Sequence, residues 1–146
     1  MEQGSLPERY LSRSVIKHIR RLNPKLSVSA AVGNDYANLH GNVSADGIGD
    51  TPWIAWVKAM NNFVCSGGQI EGARLTMLLP QNVKESWIKG YMADFNSYAE
   101  AKGIQILGGH TQVSEVFARA QFVVTMLGTA GDYRANKKKI KPGYDI

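Results

Sequence analysis

The stretch between Pro80 and Gly103 constrains the fold most. Within it Trp87, Ile88, Tyr91, Met92, Phe95, Tyr98 and Ala99 recur at helical spacing, which predicts a helix over about Lys84 to Lys102 with one apolar stripe and a stop at Gly103. A helix with a single stripe needs an apolar surface to lie on. The flanking runs supply one: residues 74–79 read as a strand closed by Pro80, and residues 104–107 as a short buried strand. The aromatic residues of the stripe therefore read as core, not as a stacking platform.

The same reasoning extends along the chain. Ser5-Leu6-Pro7-Glu8 has the spacing of a capping box with proline in the first turn. A helix follows through about Arg21, with Leu11, Val15, Ile19 and Leu22 on one face and the basic residues mostly on the other, and Asn23-Pro24 stops it. Residues 27–41 suit a loop or short extended pieces. A short strand at about Asn42 to Ala45 delivers Asp46 to its end, where Gly47 and Gly49 let the backbone bend. Asp50 and Thr51 are candidate caps for a second helix, with Pro52 at its first position, Trp53, Val57, Met60 and Val64 at core spacing, and Ser66-Gly67-Gly68 as its end. Residues 117–128 read as a longer strand.

This order predicts an α/β or α+β fold: a mixed four-stranded sheet with helices packed on one face. At 146 residues one domain is the default, with a helical region over 1–26 and an α/β core over 27–146. One helix layer leaves the opposite sheet face bare. A second copy of the same sheet is the simplest cover, so a homodimer is expected.

The formal charge of +5 comes largely from Arg9, Arg13, Lys17, Arg20, Arg21 and Lys25 early and Lys137, Lys138, Lys139 and Lys141 late. Such a surplus favours anionic partners without choosing among them. No zinc spacing, recognition-helix pattern or aromatic RNA-binding signature accompanies it, so nucleic acid is not the expected partner. The apolar runs are far shorter than the roughly 20 residues that span a bilayer. With Cys65 as the sole cysteine no intrachain disulfide forms, and a cytoplasmic protein is expected. Cys65 itself reads as a small buried hydrophobe near a helix end.

Asp35 and Asp46 are the strongest acidic candidates, each beside a glycine or small residue. Magnesium takes hard oxygen ligands, usually one or two carboxylates plus phosphates and waters. Aspartate is also common as a plain turn or cap residue, and both readings stay open. Gly108-Gly109-His110-Thr111 follows a strand, so its amides are placed either to approach a phosphate or to close a tight turn. His110 is a candidate proton carrier or metal ligand, though it has no partners at ligand spacing. The sequence holds no GxxxxGK[ST] loop, GxGxxG fingerprint, HExxH or GxSxG elbow.

Taken in order, Gly33-Asn34-Asp35-Tyr36-Ala37, Ala45-Asp46-Gly47, Asn61-Asn62 and Gly108-Gly109-His110-Thr111 resemble the successive motifs of the amino-terminal domain of the AIR synthase (PurM-like) superfamily. Within it the chain looks most like AIR-synthase-related, HypE-like members. The resemblance runs through about residues 30–146. It implies a domain whose acidic loops bind Mg2+ and the phosphates of ATP, with Gly33, Asn34, Asp35, Asp46, Gly47, Asn62, Gly108, Gly109, His110 and Thr111 at the nucleotide site and Asp35 and Asp46 on the metal. At Asn34, Asn62 and His110 the family often carries a carboxylate, which leaves Asp35 and Asp46 as the matched acids.

The resemblance also implies a sheet that pairs with a second subunit into a barrel. Residues 140–146, Ile-Lys-Pro-Gly-Tyr-Asp-Ile, look like the family segment that leads into a second domain, so the carboxyl-terminal domain is expected to be absent from this chain and the isolated domain to be inactive. No counterpart of HypE's carboxyl-terminal cysteine or of selenophosphate synthetase's reactive residue is present. The expected function is an ATP-binding and dimerising domain of an enzyme that phosphorylates an amide, carbonyl or phosphate oxygen of a small-molecule or protein-bound acceptor. The rival expectation is a non-catalytic scaffold with a degenerate metal site.

Overall fold

A computed structural model describes residues 7–20 and 22–132. The elements are helix α1 (Glu8–Ser14), a 3-10 turn (Ile16–His18), strands β1 (Leu26–Val28), β2 (Ala37–Leu39) and β3 (Asn42–Gly49), helix α2 (Pro52–Val64), strand β4 (Gln69–Leu79), helix α3 (Glu85–Lys102), and strands β5 (Gln105–Val113) and β6 (Gln121–Thr129). They build one mixed sheet in the order β1-β2-β3-β6-β4-β5. Only β4 and β5 pair in parallel, joined by α3, while β6 lies antiparallel between β3 and β4.

The sheet has six strands where four were expected. The two additional strands are three residues each, too short to show an alternation in sequence. They hold because β2 and β3 close a hairpin through His40-Gly41, both at positive φ (55° and 89°), the turn that matches strand twist. The side chain of Asn38 accepts from the Gly41 amide at 3.0 Å and braces that turn.

Thr51 caps α2 through its Oγ1, which accepts from the Ile54 amide at 3.2 Å, and Pro52 follows at the first position. Gly103 ends α3 at φ 63°. The buried apolar side chains of the strands share one face: Val43 and Ala45 on β3, Phe122, Val124 and Met126 on β6, and Ala73, Leu75, Met77 and Leu79 on β4. Helices α2 and α3 cover that face with Ala55, Trp56, Ala59, Phe63, Phe95 and Ala99. Trp56 stands edge-on to Phe95 with centroids 5.4 Å apart, and Tyr91 to Phe122 at 4.8 Å.

Several expectations need correction. The first helix ends at Ser14 and buries none of its residues, because Leu11, Val15, Ile19 and Leu22 find no core to pack on. The Ser5 cap lies outside the described residues, as does the basic tail beyond Asp132. Trp53, Val64 and Trp87 are more than half exposed, since a two-layer fold covers only the narrower part of each stripe. Cys65 is exposed at the end of α2, its thiol 3.4 Å from the Asn61 carbonyl. The last strand begins at Gln121, not 117. Among the described residues no helix is long and apolar enough to cross a membrane.

Candidate functional site

Paired residues in adjacent strands share a face, so the register locates the bare side of the sheet. Asp46 on β3 is opposite Thr125 on β6, Thr125 is opposite Arg74 on β4, and Arg74 is beside Gly108 on β5. The next row reads Ile48, Val123, Thr76, His110. On the other side of the Asp46 row lie Ser44, Leu127 and Gly72. Asp46, Ile48, Arg74 and His110 are exposed, and Val123, Thr125 and Leu127 half-buried.

Asp46 therefore sits in the middle of β3 and not at its end. The glycines beside it do not bend the strand. They let α2 lie directly on it: a Cβ added at Gly47 would run into the backbone nitrogen of Ala59 and the backbone oxygen of Ala55, with Ala59 Cα only 2.9 Å away. One added at Gly49 would meet the Ala55 nitrogen at 2.7 Å. Gly47 is consequently buried beneath the helix, on the face opposite the Asp46 side chain.

The Asp46 carboxylate is held from the sheet side. Thr125 Oγ1 donates to its Oδ1 at 2.5 Å. Its backbone carbonyl accepts from Asn62 Nδ2 at 2.8 Å, past the point where β2 stops covering β3. Asn62, placed by sequence at a ligand, thus positions the Asp46 backbone from the last turn of α2. Asp35 lies just beyond the β2 pairing. Continued two residues past Ala37↔Ser44, that register would set Asp35 opposite Asp46; the chain leaves the sheet at Tyr36, which packs against the core. Asn34 is spent on its own loop, its amide nitrogen donating to the Ala31 carbonyl at 3.2 Å and its Nδ2 to the Ser29 carbonyl at 2.8 Å. Gly33 stands in that loop at φ 77°.

Gly108, Gly109, His110 and Thr111 all lie within β5, not in a turn after it. Leu107 is the extra residue of a bulge that shifts the β4–β5 register at Arg74, and Gly108 takes φ 125° to form it. His110 Nε2 lies 3.4 Å from Gln112 Oε1 on the bare face, while Gly109 and Thr111 alternate to the other side. Leu107 folds across Gly72. With Asn42, Val43, Glu71, Leu127 and Gly128 they line a shallow, mostly apolar recess of about 260 Å³, one row from Asp46.

Among the described residues no three His, Cys, Asp or Glu side chains converge to cage a metal. The donors do fit a magnesium ion delivered with phosphate: the exposed Asp46 carboxylate is fixed by a hydroxyl, and Asp35 is exposed in the loop just before β2, within the one or two carboxylates that such an ion takes. Thr125 and Arg74 were not picked out by sequence. Their signal was there as polar residues on the alternate positions of two apolar runs.

The family model described as AIR synthase related protein, N-terminal domain, matches residues 26–130. No curated protein matches the chain by sequence. Among solved structures it is similar to Escherichia coli HypE, a hydrogenase maturation protein, with TM-score 0.61 and 15% identity over 82% of this chain and 43% of that one. It is also similar to AaThiL complexed with AMPPCP and TMP, with TM-score 0.59 and 16% identity over 68% of this chain and 37% of that one. A third similarity is to PurLQS from Thermotoga maritima, with TM-score 0.62 and 14% identity over 73% of this chain and 21% of that one. The chain spans less than half the length of each. At these identities the likeness speaks for the fold.

Proposed function

The chain belongs to the AIR synthase related family through its N-terminal domain, and on that premise we propose that its bare sheet face binds ATP with magnesium in an enzyme that transfers a phosphoryl group. The observation that carries this reading is Asp46 itself, exposed in the middle of the face with its carboxylate fixed by Thr125 and its backbone by Asn62. Asp46, together with Asp35 from the loop before β2, would hold the ion, which when bound neutralises polyphosphate charge. Phosphoryl transfer is mostly positioning and charge neutralisation, so no covalent nucleophile is needed. The acceptor would be an amide, carbonyl or phosphate oxygen, presented by a second domain in a cytoplasmic enzyme. AaThiL, of the same fold, is seen with AMPPCP, which supports placing a nucleotide here.

ATP with magnesium at about 100 times its dissociation constant should raise stability by roughly 2.7 kcal/mol. Asp46→Asn is expected to abolish the magnesium-dependent part of that gain in thermal melts, whereas neutralising Lys137, Lys138 and Lys139 leaves it intact. The reverse pattern would assign binding to the basic tail.

We further propose that two copies pair through these faces into a barrel. The face carries Ile48, Leu78, Val123 and Leu127 in partial or full exposure, and pairing two such faces would bury on the order of 2,000 Å², the range of obligate dimers. Light scattering at micromolar concentration should give the mass of a dimer, and Val123→Lys that of a monomer. A wild-type monomer with a cooperative melt would defeat the idea. A non-catalytic pairing module is the second reading, favoured by one observation: Asn34 and Asn62 both spend their side chains on backbone carbonyls. A dimer whose melting ignores ATP and magnesium would select it.

A further inference from the structure

Arg74 is the unexplained residue of the bare face. It stands exposed in the middle of β4, flanked by rows that carry Ile48 and Val123 on one side and Leu127 on the other. A guanidinium keeps its charge at every accessible pH. Yet among the described residues no carboxylate lies within ion-pair distance of Arg74; the ion pair seen there is Lys89–Glu85. The acid of its own row, Asp46, is two strands away, about 10 Å between backbones, and is engaged by Thr125. Glu71 near the recess accepts from Thr129 Oγ1 at 3.2 Å.

The surroundings of Arg74 are built for something to approach. Its neighbour on β5 is Gly108, with no side chain to obstruct it, and its neighbours on the face are the hydroxyls of Thr125 and Thr76. An extended polyanion lying across β6 would meet a cation held at Asp46 at one end, Thr125 beneath it, and the Arg74 fork at the other. Charge supports the same arrangement. Two aspartates and one magnesium ion cancel, so the negative charge of a bound polyphosphate calls for a cation from the protein, and Arg74 is the one on this row.

We infer that Arg74 is a polyphosphate-binding residue, contacting the phosphate chain at the end of the site away from Asp46. This rests on the nucleotide reading above, and the test separates the two. Calorimetric titrations with inorganic tripolyphosphate and with ATP, each in EDTA and in magnesium, would be run on the full chain and on Arg74→Ala, Arg74→Gln, Arg74→Lys and Asp46→Asn. The expected result is at least a tenfold weaker affinity for both ligands in Arg74→Ala and Arg74→Gln, with and without magnesium. Arg74→Lys should recover part of the loss, because lysine keeps the charge without the bidentate fork, and Asp46→Asn should lose only the magnesium increment. If Arg74→Ala and Arg74→Gln bind ATP with magnesium as the wild type does, the inference falls and the nucleotide reading stands. If tripolyphosphate binds through Arg74 without gain from magnesium or the nucleoside, Arg74 stands and the nucleotide reading falls. Loss of binding that appears only with a drop to monomer mass would make Arg74 an interface residue and overturn the inference.

Discussion

Gly47→Ala should cost about 3 kcal/mol or more, at the upper end of overpacking effects, and leave little folded protein. The new methyl group would meet backbone atoms of Ala55 and Ala59, both fully buried, and a helix backbone cannot rotate out of the way as a side chain does. To make room α2 must lift from β3, which would also draw the Asn62 amide from the Asp46 carbonyl. The measurement is the urea midpoint at unchanged slope. Gly90→Ala is the control: its added Cβ meets nothing within 4 Å, and in the interior of α3 it should stabilise by roughly 0.5–1 kcal/mol by relieving backbone entropy. If both variants lose stability alike, the close approach of α2 to β3 is wrong.

Phe95→Ala is expected to cost about 3–5 kcal/mol, the range for emptying a large buried aromatic site. Phe95 is fully buried and Trp56 2% exposed, their rings crossing at 81°. That contact joins the two helices of the cover layer. Part of the loss, about 0.5–1.5 kcal/mol, should belong to the ring pair itself and emerge as coupling in a double-mutant cycle with Trp56→Leu. Trp53→Ala, where the ring is more than half exposed against Tyr98, should cost much less. Equal costs at Phe95 and Trp53 would mean that the core is not centred between α2 and α3.

Asp46 shows how far the sequence could be read. Its neighbours, Gly47 and Gly49, looked like turn residues because glycine serves turns and close packing alike, and composition cannot tell these apart. The partner that decides, the Ala55–Ala59 surface of α2, is visible only once the helix is laid on the strand. The Gly108-Gly109 pair misled for the same reason, Gly108 completing a bulge with Leu107 and Gly109 pairing regularly within β5 rather than ending it. Asn62 was found in sequence as part of a motif, yet its hydrogen bond to the Asp46 carbonyl depends on a crossing of helix and strand that spacing does not encode. Arg74 and Thr125, far apart in sequence, became neighbours only through the insertion of β6 between β3 and β4.

What the sequence determined by itself was whatever local periodicity specifies: the apolar stripe of α3, the Thr51-Pro52 start of α2, the Gly103 stop, the class of sheet with its helices on one face, and the family. These follow from side chains three or four residues apart, whose interactions any helical segment must satisfy. The strand order, the two short strands of the hairpin edge and the meeting of Asp46, Thr125 and Arg74 on one uncovered face were decided by tertiary structure. Pairing between strands is a contact between distant segments, selected by how the whole apolar surface can be buried at once, and no short stretch of chain carries that information.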